Sequence, residues 1–253
     1  MLRDQCPVPH APDSLTLDEL KRFGLVLQQP KVGYRFTLDP LLLCDFSGAC
    51  AEQSIADLGT GSGVMALVLA RMAPQSRVTA FEQDAAAAGL AEENVQLNGL
   101  AERVTVLHED VLHIRGHLPV SSCDLVVSNP PYRKQGKGRL NEHPGRLAAR
   151  HETTATLVDF LAAAKYLVKP SGRICLVYHP DRLGDLLVAT AEQKLTVLRL
   201  RMVHGTPAAE AKVFLVELGK GRRHGALRVL PPLIVRSDGQ NYTDEVRTIL
   251  LGK

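Results

Sequence analysis

No apolar run in this sequence approaches the roughly 20 residues that a membrane-spanning helix requires; the longest clean one is Val64 to Ala70. The first thirty residues also lack a charged start followed by an apolar stretch of signal-peptide length. A cytoplasmic protein with no membrane partner is therefore expected. The cysteines, Cys6, Cys44, Cys50, Cys123 and Cys175, form no C-x-x-C motif. Most lie in apolar runs, which predicts buried free thiols in a reducing compartment rather than disulfides or a zinc site. His113 and His117 have helical i, i+4 spacing, but Pro119 follows closely and no carboxylate completes a zinc helix. No metal is expected. Tryptophan is absent, internal repeats and low-complexity tracts are lacking, and the formal net charge of +3 decides nothing by itself. What remains is a chain of 253 residues, 45% hydrophobic and 23% charged, which suits one large domain with a buried core and argues against disorder.

Two motifs carry chemistry. The first is Ile55-Ala56-Asp57-Leu58-Gly59-Thr60-Gly61-Ser62-Gly63, followed by the apolar Val64–Ala70. It reads as a short strand, a glycine-rich turn and a helix, and glycine lets backbone approach a ligand where a Cβ would clash. The dinucleotide fingerprint G-x-G-x-x-G does not fit, because the third glycine comes one residue early and Val64 holds the expected place. No lysine supports a phosphate-binding P-loop. An acid-led D-x-G-x-G-x-G loop better suits a cationic, phosphate-free nucleoside such as S-adenosylmethionine. Two more acids close predicted strands. Glu82 follows Arg77–Phe81, where a carboxylate can accept both ribose hydroxyls, and Asp110 follows Arg103–Leu107, where it can accept from an adenine N6 amine.

The second motif is Ser128-Asn129-Pro130-Pro131-Tyr132, directly after the apolar Leu125-Val126-Val127. Two prolines stiffen the turn and remove two backbone donors. Asn129 brings a side-chain acceptor and Tyr132 a flat aromatic face. Together they suit a planar substrate with an exocyclic NH2: two acceptors take the two N–H bonds while the ring stacks.

On these residues the chain resembles the class I S-adenosylmethionine-dependent methyltransferases of the N-P-P-Y group. Within it, the sequence is most similar to bacterial tRNA (adenine-N6)-methyltransferases acting beside the anticodon of a valine tRNA. Three stretches carry the closer match: Gly33–Leu43; Asn129–Tyr132 with Asn141-Glu142-His143 and Ala148–Glu152; and Tyr242–Arg247. Arg35 and Leu38 stand where smaller residues are often found. The resemblance implies a seven-stranded, mostly parallel α/β sheet with helices on both faces and a C-terminal antiparallel hairpin, strand seven lying between five and six. It also implies roles. Gly59, Thr60, Gly61 and Gly63 would lie under the methionine portion and ribose, with Asp57 orienting the loop or accepting from the amino group. Glu82 would hold the ribose, Gln83 would flank the adenine, Asp110 would read its amine and Val111 would pack on its face. Tyr34, Arg35 and Thr37 would close the methionine end, with Arg35 as a partner for the carboxylate. Asn129 and the Pro130 carbonyl would accept from the target amine, Pro131 would rigidify the turn, and Tyr132 would stack on the base.

The pattern predicts strands near 54–58, 77–82, 103–107, 123–128 and 173–178, helices near 63–72, 85–98, 153–168 and 181–193, and two closing strands at 195–203 and 212–218. Pro170-Ser171-Gly172 is expected to end the helix before the fifth strand. Residues 1–20 are expected to be a flexible arm and 21–253 one domain. Within it, 21–50 should form a hairpin (Leu25–Leu27 with Val32–Phe36 around Gln29-Pro30) and a helix begun by Asp39-Pro40. Within the 133–152 segment, the stretch from Arg133 to Arg150 carries Arg133, Lys134, Lys137, Arg139, Arg146 and Arg150 against one acid, Glu142, interspersed with glycines. A basic segment leaving the catalytic turn suits a phosphate-backbone clamp, so Lys134, Lys137, Arg139, Arg146 and Arg150 are candidate substrate contacts and tRNA the expected partner. Rival readings are a glutamine-amide methyltransferase acting on a protein, a guanine-N2 rRNA methyltransferase, and a non-catalytic RNA-binding scaffold. The sequence leaves the oligomeric state open.

Overall fold

Strand and helix patterns alternate through the middle of the chain, and they fold into parallel βα units covered on both faces. The computed structural model describes residues 15–32, 35–50, 53–130, 155–221 and 227–252. In chain order the elements are β1 (Leu15–Leu20), β2 (Leu25–Pro30), α1 (Asp39–Ser47), β3 (Ser54–Leu58), α2 (Val64–Met72), β4 (Arg77–Glu82), α3 (Ala85–Leu97), β5 (Val104–His108) and β6 (Cys123–Ser128). They continue with α4 (Leu157–Leu167), β7 (Val168–Tyr178), α5 (Leu183–Glu192), β8 (Leu195–His204), β9 (Ala211–Lys220), β10 (Arg228–Val229), β11 (Leu233–Ile234) and α6 (Asp244–Leu251).

The main sheet runs β10-β8-β9-β7-β6-β3-β4-β5, with β11 also pairing β8. Every pairing is parallel except β7 with β9 and β8 with β9. Counting from β3, the seventh strand (β9) lies between the fifth and sixth, as expected, and two two-residue strands add a parallel fringe beyond it. Successive side chains point to opposite faces. Leu125 and Val127 of β6 join one apolar layer with Leu42, Leu43 and Val68, whereas Val126 joins the other with Phe160, Leu161 and Leu186. Each side chain of this size, fully buried, contributes roughly 1.5–3 kcal/mol. Among the described residues, no helix is long and apolar enough to cross a membrane.

Four expectations need correction. The hairpin pairs β1 with β2, Leu15 opposite Pro30 and Leu20 opposite Leu25, so residues 15–20 are strand rather than arm. The turn is a 3-10 segment, Lys21–Phe23, ended by Gly24 in the left-handed conformation, and not Gln29-Pro30. A left-handed position favours glycine, whereas Pro30 simply ends β2. The strand expected over Val32–Phe36 does not form in its described part, since Lys31-Val32 bend and 35–37 are irregular. Finally, Pro170-Ser171-Gly172 does not precede the fifth strand. β7 runs through it, with a register break against β6 between Cys123 and Leu125. Gly172 is required there, because an added Cβ would meet Val168 Cγ2 at 2.7 Å and the Asp124 carbonyl oxygen at 2.9 Å.

The outer edge of β2 is held by side chains rather than by another strand. The Gln28 amide donates to Asn94 Oδ1 (2.7 Å) and Asn94 Nδ2 donates to the Gln28 carbonyl (3.0 Å). Asn98 repeats the pattern on Val26, at 2.9 Å and 2.7 Å. Helix α3 thus completes the ladder of an edge strand whose polar groups would otherwise be stranded under the domain.

Candidate active site

Parallel strands β3 and β6 are neighbours, with Leu58 opposite Ser128. The buried Ser128 hydroxyl donates to the Leu58 carbonyl at 2.7 Å, which pins the two strand ends together. The glycine loop and Asn129-Pro130 therefore leave the same edge of the sheet side by side, about one strand spacing (roughly 4.8 Å) apart. This is the crevice past the strand C-termini where open α/β sheets bind ligands.

The loop hooks sideways onto β4: the Gly59 and Thr60 amides both donate to the Phe81 carbonyl, at 2.8 and 3.0 Å. Gly63 has φ +86°, and a Cβ there would press on Ala91 Cβ of α3 at 3.2 Å. Gly61 has φ +58°, but a Cβ there would meet nothing within 4 Å, so its outer side is open for a ligand. Beneath the loop Asp57 is fully buried. Its Oδ2 accepts from the Thr60 hydroxyl at 2.6 Å, and the Ala66 backbone amide in α2 also favours its charged form. Burial pushes its pKa up from 3.8 to about 7, against the Thr60 hydrogen bond and reinforced by the nearby Glu82 charge. A buried carboxyl whose charged form is disfavoured gains from a ligand that brings positive charge to the loop above it.

Glu82, half-buried at the end of β4, turns back over the loop and accepts from the Gly61 amide at 2.8 Å and the Asp84 amide at 3.0 Å. One strand further out, the Glu109 amide donates to the Glu82 carbonyl at 2.9 Å, bringing the ends of β4 and β5 together. Asp110 caps the 3-10 turn Val111–Gly116 by accepting from the Leu112 amide at 2.9 Å, and Val111 beneath it is buried. Gln83 is exposed, its carbonyl facing His108 Nε2 at 3.1 Å. His113 and His117, noted for their spacing, both face Glu109, at 3.4 and 2.9 Å. His117 in particular holds the Glu109 carboxyl below its ordinary pKa.

Asp57, Gly59–Gly63, Glu82, Gln83, Asp110, Val111, Asn129 and Pro130 thus belong to the loops at the ends of adjacent strands. Thr37 lies just before α1, bonded to Asp39 Oδ2 at 3.0 Å. Arg35 is directed elsewhere: its guanidinium pairs with Asp18 at 2.7 Å and donates to the Thr16 hydroxyl at 2.7 Å, bracing the hairpin. Tyr34, Pro131, Tyr132, Lys134, Lys137, Arg139, Arg146 and Arg150 lie outside the described residues. Two contributors escaped the sequence reading. Ser128 was visible within the diproline motif, but its partner is a carbonyl seventy residues away. Asn94, one turn beyond Ala91, donates to the Ser62 carbonyl of the loop at 2.9 Å, and its only signal is the i, i+4 spacing to Asn98.

This strand order, with an antiparallel seventh strand and an acid-led glycine loop at the first strand end, defines the Rossmann-like class I methyltransferase fold. The chain belongs to the methyltransferase small domain family, whose model matches residues 39–185. A tRNA1(Val) (adenine(37)-N6)-methyltransferase from Porphyromonas gingivalis is 34% identical over 197 residues, 76% of each chain. The human MTRF1L release factor glutamine methyltransferase is 33% identical over 166 residues, covering 61% of this chain and 49% of that protein. Among solved structures, a predicted O-methyltransferase from Agrobacterium tumefaciens superposes with a TM-score of 0.65 at 24% identity, over 85% of this chain and 96% of that one, a likeness of fold.

Proposed function

We propose that this protein binds S-adenosylmethionine in the cleft and methylates the exocyclic N6 amine of an adenine in tRNA. The observation that carries this reading is the Leu58–Ser128 pairing, which sets an open, acid-floored glycine loop beside Asn129-Pro130. S-adenosylmethionine, when bound, supplies a methyl group on a cationic sulfonium. The residues present suit it: the buried Asp57 carboxyl under the loop gains from a positive charge nearby, and Gly61 leaves room above the loop. Glu82 accepts the ribose hydroxyls, Gln83 and Val111 flank the adenine, and Asp110 accepts from its amine through the oxygen not used in capping. Tyr34 and Thr37 close the methionine end. Arg35 is left out, because it braces the hairpin.

The adenine amine is a weak nucleophile because its lone pair is conjugated with the ring. Asn129 Oδ1 and the Pro130 carbonyl accept its two N–H bonds and stabilise the positive charge that grows on nitrogen, an oxyanion hole with its sign reversed. Tyr132 stacks on the base, a contact of roughly 1–3 kcal/mol. No strong general base is needed, since the cationic product loses its proton to water. Lys134, Lys137, Arg139, Arg146 and Arg150, in the 133–152 substrate loop, hold the RNA backbone, and the enzyme works in the cytoplasm with its tRNA. The glutamine-amide alternative is weaker: its relative shares less of this chain and is matched over only half its own length.

Labelled S-adenosylmethionine incubated with total tRNA, or with release factor, and digested to nucleosides or amino acids separates the two. Label recovered as N6-methyladenosine supports the proposal; label recovered only as methylglutamine refutes it. In the same assay Asn129→Ala should cut turnover by on the order of 10²-fold while cofactor affinity stays within a few fold. Unchanged turnover would remove Asn129 from its role.

A further inference from the structure

Four helical residues rise about 6 Å and two strand residues about 6.6 Å. An i, i+4 pair of amide side chains can therefore meet alternate residues of a strand edge, as Asn94 and Asn98 do on Gln28 and Val26. The two asparagines differ in one contact. Asn98 Nδ2 makes its second bond to the Asn94 carbonyl within its own helix, at 2.7 Å. Asn94 Nδ2 makes its second bond to the Ser62 carbonyl in the glycine loop, at 2.9 Å. Asn94 has no solvent exposure, and its oxygen and both N–H donors are engaged. Aspartate supplies no donor, alanine supplies neither donor nor acceptor, and glutamine adds a methylene to a site without space for it.

The connection extends through β2. Gln29, beside Gln28 and also buried, accepts the Phe36 amide on Oε1 at 3.0 Å, and so holds the segment that leads into Thr37 and α1. Two neighbouring buried amides thus join the glycine loop to the hairpin (Asn94) and the hairpin to the segment beyond it (Gln29).

We propose that Asn94 is a positioning residue for the cofactor loop: it holds Ser62 and β2 in one arrangement and so couples hairpin docking to cofactor binding. The inference rests on the S-adenosylmethionine reading of the cleft. Coupling of this kind is reciprocal, so loosening Asn94 weakens cofactor binding and cofactor binding tightens the hairpin.

Calorimetry with S-adenosylhomocysteine on the unmodified protein comes first, and no binding there overturns the cofactor reading and this one with it. Asn94→Ala is expected to weaken binding about tenfold and to raise KM for S-adenosylmethionine in proportion, with kcat at saturating cofactor kept within about threefold. Asn98→Ala releases the same strand from the same helix without touching the loop. It should change cofactor affinity less than about twofold at a comparable fall in Tm. Equal weakening in both variants, or none in Asn94→Ala, overturns the proposal. If Asn94→Ala does not fold, hydrogen exchange on the unmodified protein decides. S-adenosylhomocysteine should slow exchange of the Gln28 amide, bonded to Asn94, more than that of the Val26 amide, bonded to Asn98. Equal protection of the two amides also overturns it.

Discussion

Replacing Asp57 with asparagine isolates what the acid under the glycine loop costs the fold. Asp57 is fully buried, and that burial, opposed by the Thr60 hydroxyl and reinforced by Glu82, raises its pKa from 3.8 to about 7. A carboxyl whose folded pKa exceeds its unfolded value favours the folded state fully below the unfolded value. The favour is lost as pH rises to the folded one. For Asp57 the window runs from about 3.8 to about 7, with no further change above it. At about 1.4 kcal/mol per pH unit, halving as pH reaches the folded value, the part lost between pH 5 and pH 7 is about 2 kcal/mol. In a chain of this size that corresponds to roughly 4–8 °C in Tm. Asp57→Asn keeps an acceptor for the Thr60 hydroxyl and removes the charge. Its Tm, followed by circular dichroism without cofactor at pH 5, 6, 7 and 8, should lack this fall, while other carboxylates contribute equally to both proteins. Parallel Tm–pH curves would refute the reasoning. The same variant should bind S-adenosylmethionine more weakly if, as proposed, the anion that destabilises the empty fold also attracts the cationic cofactor.

Glu82→Gln should weaken cofactor binding by on the order of tenfold with turnover at saturation less affected, since a carboxylate accepts two ribose hydroxyls where an amide accepts one; unaltered affinity in calorimetry would place the ribose elsewhere. Gly63→Ala should lower stability by about 1–2 kcal/mol, because φ +86° is strained for alanine and its Cβ presses on Ala91. Gly61→Ala, at φ +58° with open space around it, should cost about 1 kcal/mol yet impair cofactor binding more than Gly63→Ala does, and urea unfolding beside calorimetry tests the reversal. Reversing charge at Arg139 and Arg146 should flatten the log–log salt dependence of tRNA binding by about 1.5–2 in slope, and an unaltered slope would remove the clamp.

Much of the cleft was legible because its chemistry is written in short, local patterns. A three-glycine turn after an apolar strand, acids at successive strand ends and a diproline corner each announce themselves within a few residues, and open-sheet physics says where such ends meet. The hairpin lies nearer the N-terminus than expected because the apolar pattern of its first strand is broken: Leu17 is exposed and Asp18 and Glu19 interrupt it. That strand forms because β2 offers it a partner, and β2 is in place because asparagines on a helix more than sixty residues away complete its other edge. The resemblance assigns Arg35 to the cofactor carboxylate, but an aspartate across the hairpin claims its charge.

The sequence alone determined the class of fold and the residue types at the strand ends, since hydrophobic period and turn chemistry act over a few residues and survive any arrangement of the rest. Tertiary structure alone decided which strand ends are neighbours in fact, that Asp57 is fully buried beneath the loop, and that Ser128 and Asn94 tie the cleft together. Hydrogen bonds and desolvation depend on distances between segments far apart in the chain, and only the packed sheet sets those distances.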